Sequence, residues 1–257
     1  MTATQPSPLL HHTTLGGIAD VWVTQNPLVA TDTYSNNLAL HVKDDAAAVV
    51  QRRSQLEKTI QRPIQWLHQV HGTVVYDVHT DASPTAEAPT ADASITRSKH
   101  IALAVMTADC LPVVLSAQNT QGDRAVAVAH AGWRGLHAGV LAKSVAALNQ
   151  QVGAATIHAH MAPCIGVGAF EVGAEVKTAF IDAIGAAATP FFTASRQKSG
   201  ADRYLCDLSG LARYSLLSLG VAAISGGGWC TVSDPRLASY RRQAVTGRFA
   251  TVVALRD

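Results

Sequence analysis

The stretch VMTADCLPVVL, residues 105–115, is apolar enough for a buried strand, yet Asp109, Cys110 and Pro112 interrupt it. A polar group taken from water without a partner costs on the order of a few kcal/mol. A fold built on this run must therefore give its carboxylate and thiol a task that offsets their burial.

The rest of the chain supplies a large interior around that run. Apolar residues make up 48% and charged residues 15% of 257 positions, the profile of a compact protein with one core or two tightly packed halves. A single domain over 1–257 is expected, with residues 1–12 as a flexible N-terminus. Twenty basic and 18 acidic residues leave a formal charge of +2. Neither sign forms a long run, which argues against nucleic acid or a membrane surface as partner and favours a small molecule. The start, MTATQPSPLLHH, lacks the basic flank and apolar stretch of a signal peptide, and no uncharged apolar segment reaches membrane-spanning length. A cytoplasmic protein, monomeric or weakly dimeric, is expected. Cys110, Cys164, Cys206 and Cys230 are far apart with no C-x-x-C pair, so neither a disulfide framework nor a zinc knuckle is expected.

Strand-like runs occur as IADVWVT, VVYDVHT, IALAVMT, LPVVLSA, AVAVAHAGW, ATIHAHM and FATVVAL. Helical spacing of apolar residues covers Asp45–Thr59, Gly139–Gln150, Val172–Ala183 and Leu208–Leu219. The two types mix without strict alternation, which predicts an α+β fold of mixed β-sheets flanked by helices. TDASPTAEAP, Thr80–Pro89, reads as an exposed loop between strands, because strand patterns resume on both sides. GGGWCT, Gly226–Thr231, reads as a tight connection with Cys230 packed.

Three places set a histidine or cysteine at the end of such a run: His71 in WLHQVHGTVV, Cys110 in TADCLP and His130 in VAVAHAGWRG. Taken singly, each is most often a packed or hydrogen-bonded core residue. Together, two imidazoles and a thiolate suit Zn²⁺ and leave a fourth position for water or substrate. A metal would hold Cys110 as thiolate, with Asp109 orienting a ligand or a substrate group. The same residues also allow a Cys110–His130 nucleophilic dyad oriented by Asp109 or a second histidine. Spacings of 39 and 20 residues do not choose between the two.

NNLALHV, WLHQVHGTVV, ADASIT, ALAVMTADCLPVVL, AHAGWRGL, AFEVG and SYRRQAVTGR occur in this order. In these motifs, from about Thr13 to the C-terminus, the chain resembles the YfiH/laccase-domain family, also called polyphenol-oxidase-type. The resemblance implies a YfiH-like single-domain zinc protein whose ligands match His71, Cys110 and His130. It implies a purine nucleoside phosphorylase for adenosine, inosine, guanosine and methylthioadenosine, with adenosine deaminase activity and phosphate as co-substrate. Two other activities are described for the family, copper-dependent polyphenol oxidation and editing of peptidoglycan precursors. The second would make Cys110 the nucleophile of a cysteine hydrolase with His130 as base. A metal-binding scaffold completed by a partner chain is a non-enzymatic alternative.

A multicopper oxidase needs many histidines, usually in H-x-H pairs, and this chain has 11 histidines with one such pair, His158 and His160. A single Cu²⁺ in place of zinc is compatible with the ligands. Phosphorolysis instead needs cations, and Arg53, Arg134, Arg241, Arg242 and Arg248 are available. The resemblance points first to Arg53, with neighbouring Arg52 leaving the register open by one residue, and it places Asn37 near ribose or phosphate. Gly132 and Gly135 would form either an anion-approaching turn or a packing turn. Asp109 is expected to be catalytic, as proton shuttle or orienter. The chain departs from the family at TTLGG, where an arginine is missing near Thr14, and at IGVG, residues 165–168.

Overall fold

The computed structural model describes residues 9–27, 33–79, 83–85, 87–195 and 202–257. Two sheets form its centre. The first orders β1 (Leu9–Leu15), β2 (Ala19–Gln25), β14 (Phe249–Leu255), β6 (Ala102–Thr107) and β3 (Ile64–Gln65). The second orders β13 (Ala223–Gly226), β9 (Thr156–Met161), β7 (Leu111–Gln118), β8 (Arg124–Ala131), β5 (Ala93–Thr96) and β4 (Val75–Val78). Both are mixed: β3 runs parallel to β6, β13 to β9 and β4 to β5, while the remaining neighbours are antiparallel. A small antiparallel sheet joins β10 (Glu171–Gly173), β12 (Arg203–Cys206) and β11 (Phe192–Ala194).

The continuous apolar runs arise because the central strands are covered on both faces. On β7, Leu111, Val113, Leu115 and Ala117 join Leu141, Leu148, Leu211 and Leu216 in one core, whereas Val114 enters another. The helices on that side are α3 (Val140–Val152), α4 (Ala174–Ile184) and α5 (Leu208–Ser218), with the short α2 (Trp133–His137) beside them. Val114, Val126 and Val128 meet Leu103, Val105, Val253 and Leu255 of the first sheet face to face. On the first sheet's far side, Ala104, Met106 and Val252 pack on Leu56 and Ile60 of α1 (Ala46–Ile60). The layers are therefore helix, sheet, sheet, helix, in agreement with the α+β expectation.

The expected helices fall at α1, α3, α4 and α5, and FATVVAL coincides with β14. Asp45 is the N-cap of α1, its carboxylate accepting from the N–H groups of Ala47 and Ala48. Val172 belongs to β10, so α4 starts later than its spacing suggests. Of the N-terminal segment expected to be loose, residues 1–8 lie outside the described residues, but Leu9–His12 pair with β2. Residues 80–82 and 86 of the expected loop also lie outside; its described part connects β4 to β5. Cys230 is half-buried, its main chain pairs with that of Cys164 in an isolated β-bridge while both thiols stay free, and Gly226 and Gly227 take the positive φ of a tight connection. No helix among the described residues is long and apolar enough to cross a membrane.

Chain crossings between the two sheets position everything that follows. Residues 108–110 carry the chain from β6 in the first sheet to β7 in the second, and residues 66–74 carry it from β3 to β4. Leu115→Ala, in the fully buried helix-facing core, should lower the unfolding free energy by about 2–5 kcal/mol, read from the urea midpoint. A loss well under about 1 kcal/mol would show that this core is not close-packed.

Candidate metal centre

Cys110 ends the 108–110 crossing, immediately before β7, and explains the interrupted run. Asp109 turns the chain there with a φ of 98°, a conformation costly for a residue with a Cβ. His130 is the penultimate residue of β8 and pairs with Pro112, which sits near the start of β7 before the pairing with β9 begins. His71 is not at a strand end as its apolar context suggests. It lies in the 66–74 crossing with a φ of 62°.

One ligand atom from each of His71, Cys110 and His130 lies within 4.8 Å of the others, the only such group of three among the described residues. Cys110 Sγ is 3.8 Å from His71 Nε2. Exposure grades across the group, with His71 exposed, Cys110 half-buried and His130 buried, so the site opens on one side. Gly132 is required beside it, because a Cβ there would come within 2.8 Å of Cys110 Sγ. Gly135 likewise lets α2 approach, since its Cβ would meet the Gly72 carbonyl at 3.1 Å.

A residue that sequence reasoning passed over builds this site. Asp92, fully buried in the ADASIT motif just before β5, accepts hydrogen bonds from the backbone N–H groups of Val70 at 3.2 Å, His71 at 2.8 Å and Gly72 at 2.6 Å. The same carboxylate takes His130 Nδ1 at 2.9 Å, and the His130 N–H donates to the Asp92 carbonyl at 2.7 Å. With Nδ1 engaged, Nε2 is left to face Cys110. The signal was present: an acid inside an apolar run, the same anomaly as Asp109.

The electrostatics favour a Cys110 thiolate, the form that binds metal, beside a His130 that must release its proton before Nε2 can bind. Burial opposes a Cys110 thiolate, but hydrogen bonds from His130 and His71 bring the thiol down to about 6. Burial likewise opposes a charged His130, and its bonds to Asp92 and Cys110 win, raising it to about 9. Burial would raise Asp92, yet His130 and the Gly72 and Val70 N–H groups keep it below the usual carboxylate range. Two imidazoles and a thiolate in one open cluster match the donors and vacancy of a catalytic zinc site, and the residues fit such an ion.

Other expected site residues have different surroundings. Both Asp109 carboxylate oxygens are occupied at 2.6 Å, one by the Thr231 hydroxyl and one by the Arg241 N–H, so Asp109 clamps two loops. These bonds give Asp109 a structural task beside its expected role as proton shuttle or orienter, while the carboxylate that bonds His130 is Asp92. Asn37 is buried and spends its full capacity within the chain: its amide donates to the Ala39 carbonyl and Asp44, and its oxygen accepts from the N–H groups of Ala39 and Arg248. It therefore braces the loops and has nothing left for ribose or phosphate. Arg52 is spent on Asp44 and the Asn37 carbonyl. Arg242 holds four carbonyls of residues 231–237. The Arg241 side chain bonds the carbonyls of Ala169 and Glu171, and Arg134 is exposed over the Trp133 ring at 4.5 Å. Arg53 is left: its Nε donates to the Leu38 carbonyl, and its guanidinium lies 4.1 Å from the Trp66 ring centre.

Residues 21–256 match the family described as "Multi-copper polyphenol oxidoreductase laccase". The chain is 43% identical over 224 residues to a Pseudomonas aeruginosa protein named purine nucleoside phosphorylase, covering 87% of each. It is 41% identical to purine nucleoside phosphorylase YfiH of Escherichia coli, covering 86% of each. A Neisseria meningitidis crystal structure superposes with a TM-score of 0.82 at 36% identity, covering 98% of this chain and 100% of that one. YfiH of Bacillus licheniformis shares the fold, with a TM-score of 0.81 at 22% identity over 93% of each.

Asp92→Asn keeps the shape but replaces an acceptor oxygen by a donor facing N–H groups. Zinc affinity should fall about 10–100-fold by chelator competition. Unchanged affinity would show that Asp92 does not orient the ligands.

Proposed function

Because the chain belongs to the family described as multi-copper polyphenol oxidoreductase laccase, we propose that it is a zinc-dependent purine nucleoside phosphorylase acting on adenosine, inosine, guanosine and methylthioadenosine, with adenosine deaminase activity. The observation that carries this reading is the open His71–Cys110–His130 cluster, which offers three donors and an exposed side. All 11 histidines lie within the described residues, and only His71 and His130 join a three-ligand group, with Cys110, in place of the several H-x-H pairs of a four-copper enzyme. The family's description is therefore a poor guide to this chain's chemistry. The names of its relatives support phosphorolysis.

Zinc held by these residues supplies a Lewis acid for an oxygen of phosphate or water. The protein's task is then to aim the reactants. In phosphorolysis a phosphate oxygen bonds to the anomeric carbon as the N-glycosidic bond breaks, and the electron pair leaves with the purine, which gains a proton. Arg53 presents a planar fork to phosphate, fixed by the Trp66 face and the Leu38 carbonyl. Exposed Leu40, Val70 and Tyr240, next in sequence to His41, His71 and Arg241, provide apolar surface suited to a nucleoside. In deamination water replaces the amine of adenosine, and no phosphate is needed.

One observation favours a second reading. Asp92, His130 and Cys110 form an ordered line of carboxylate, imidazole and thiol, as in a cysteine hydrolase acting on a peptidoglycan precursor. The readings differ in whether Cys110 is a ligand or a nucleophile.

Adenosine with enzyme and phosphate should yield adenine and ribose 1-phosphate, and base release should stop when phosphate is omitted. Equal release without phosphate would indicate hydrolysis and reject the phosphorylase. Arg53→Lys should reduce phosphorolysis by about a hundredfold, the scale of a lost bidentate charged contact, with a much smaller effect on deamination. An equal fall in both activities would assign Arg53 to the fold or the nucleoside.

A further inference from the structure

Leu38 draws together two cations that are far apart in sequence. Its N–H donates to the Arg248 carbonyl at 3.1 Å, and its own carbonyl accepts from Arg53 Nε at 2.8 Å. Asn37 reinforces the link by accepting the Arg248 N–H at 2.8 Å. Three residues after Leu38 comes the exposed His41.

The donors of this group are only partly used. A guanidinium carries five N–H bonds. Arg53 spends Nε on Leu38 and one Nη2 hydrogen on Met106 Sδ at 3.4 Å, a weak acceptor. Arg248 spends Nη1 on the carbonyls of Thr246 and Gly247. Among the described residues neither arginine forms an ion pair.

Hydrogen bonds through Leu38 hold Arg53 and Arg248 at one place, three residues from His41, and the electrostatics accord with that. Burial lowers Arg53 to about 10, with Glu57 opposing, and burial lowers Arg248, with Cys110, Asp109, Tyr240 and Tyr34 opposing. His41 is lowered by burial and then by Arg248, His68, Arg53 and His71. Asp109 is already engaged by Thr231 and Arg241, so it does not neutralise this group by direct contact. Partly buried like charges are unfavourable unless an anion joins them. Arg248 directly precedes β14, whose Phe249 pairs with Thr107 at the end of β6, so this group lies beside the 108–110 crossing that carries Cys110.

We propose that His41, Arg53 and Arg248 form an oxyanion subsite next to His71, Cys110 and His130, built to hold inorganic phosphate as co-substrate. This assignment rests on the phosphorylase reading and extends it from one arginine to a three-sided cradle: two guanidinium forks from the buried side and an imidazole from the solvent side. A phosphate carried by the substrate itself, as in a nucleoside 5′-phosphate, offers the same chemistry, and the test separates the two sources.

Zinc-loaded wild type, Arg248→Met and His41→Ala are titrated calorimetrically with inorganic phosphate and, separately, with inosine 5′-monophosphate. KM is measured for phosphate and for inosine. Wild type should bind inorganic phosphate without nucleoside. Arg248→Met should weaken that binding and raise the phosphate KM about tenfold or more, and His41→Ala severalfold, with inosine KM and zinc content unchanged. His41→Ala keeps the test valid if Arg248→Met loosens the 246–248 turn. Unaltered phosphate affinity in both variants of an enzyme that performs phosphorolysis would overturn the subsite and leave the phosphorylase reading standing. Phosphate binding that depends on both residues, without base release, would keep the subsite and overturn the phosphorylase. Dependence on both residues for the nucleotide but not for inorganic phosphate would overturn the co-substrate assignment.

Discussion

The buried carboxylate of Asp92 is the interaction on which the site depends. A charge with no solvent access persists only when paired and hydrogen-bonded, and this one receives three backbone N–H groups and an imidazole. Those bonds join two elements that otherwise have no reason to meet, the loop after β3 and the end of β8. They also hold His71 in a positive-φ conformation that its side chain disfavours. One residue thus sets the position of one prospective ligand and the tautomer of another.

The two-sheet architecture makes this arrangement possible. Face-to-face packing of the sheets needs connections between them, and the connections at 66–74 and 108–110 deliver His71 and Cys110 to the same end of the seam. His130 arrives on β8 within the second sheet, and Gly132 keeps the following turn clear of the sulfur. A rigid interior thus backs the buried ligand while the exposed ligand lies on a loop, the arrangement expected where a substrate must enter.

Much of this was legible in the sequence, for identifiable reasons. Two-sided burial gives continuous apolar runs, so β6, β7, β8 and β14 stand out, and the Asp109–Cys110 interruption marks the crossing between sheets. The α+β class follows from the same patterns. Short strands such as β3, β5 and β10–β13 carry too few residues for a period and exist through their neighbours. Asp92 carries a local signal, an acid inside an apolar run, but its partners at residues 70–72 and 130 are remote in sequence and appear only once the chain is folded. Asn37 looked like a site residue by position, yet its hydrogen bonds are exhausted within the chain, and Asp109 also ties two loops together, which only the assembled loops reveal. The pairing of Arg52 with Asp44, which makes Arg53 the candidate for the proposed phosphate contact, is likewise invisible in the sequence.

The proposed phosphorylase, with its arginines beside the His71–Cys110–His130 cluster, depends on Cys110 being a metal ligand. Its most direct test is the zinc content of protein purified without added metal, measured with phosphorolysis before and after chelation. The account predicts about one zinc per chain, loss of zinc and turnover together on chelation, and recovery of both when zinc is restored. Metal-free protein that retains full phosphorolysis would contradict it.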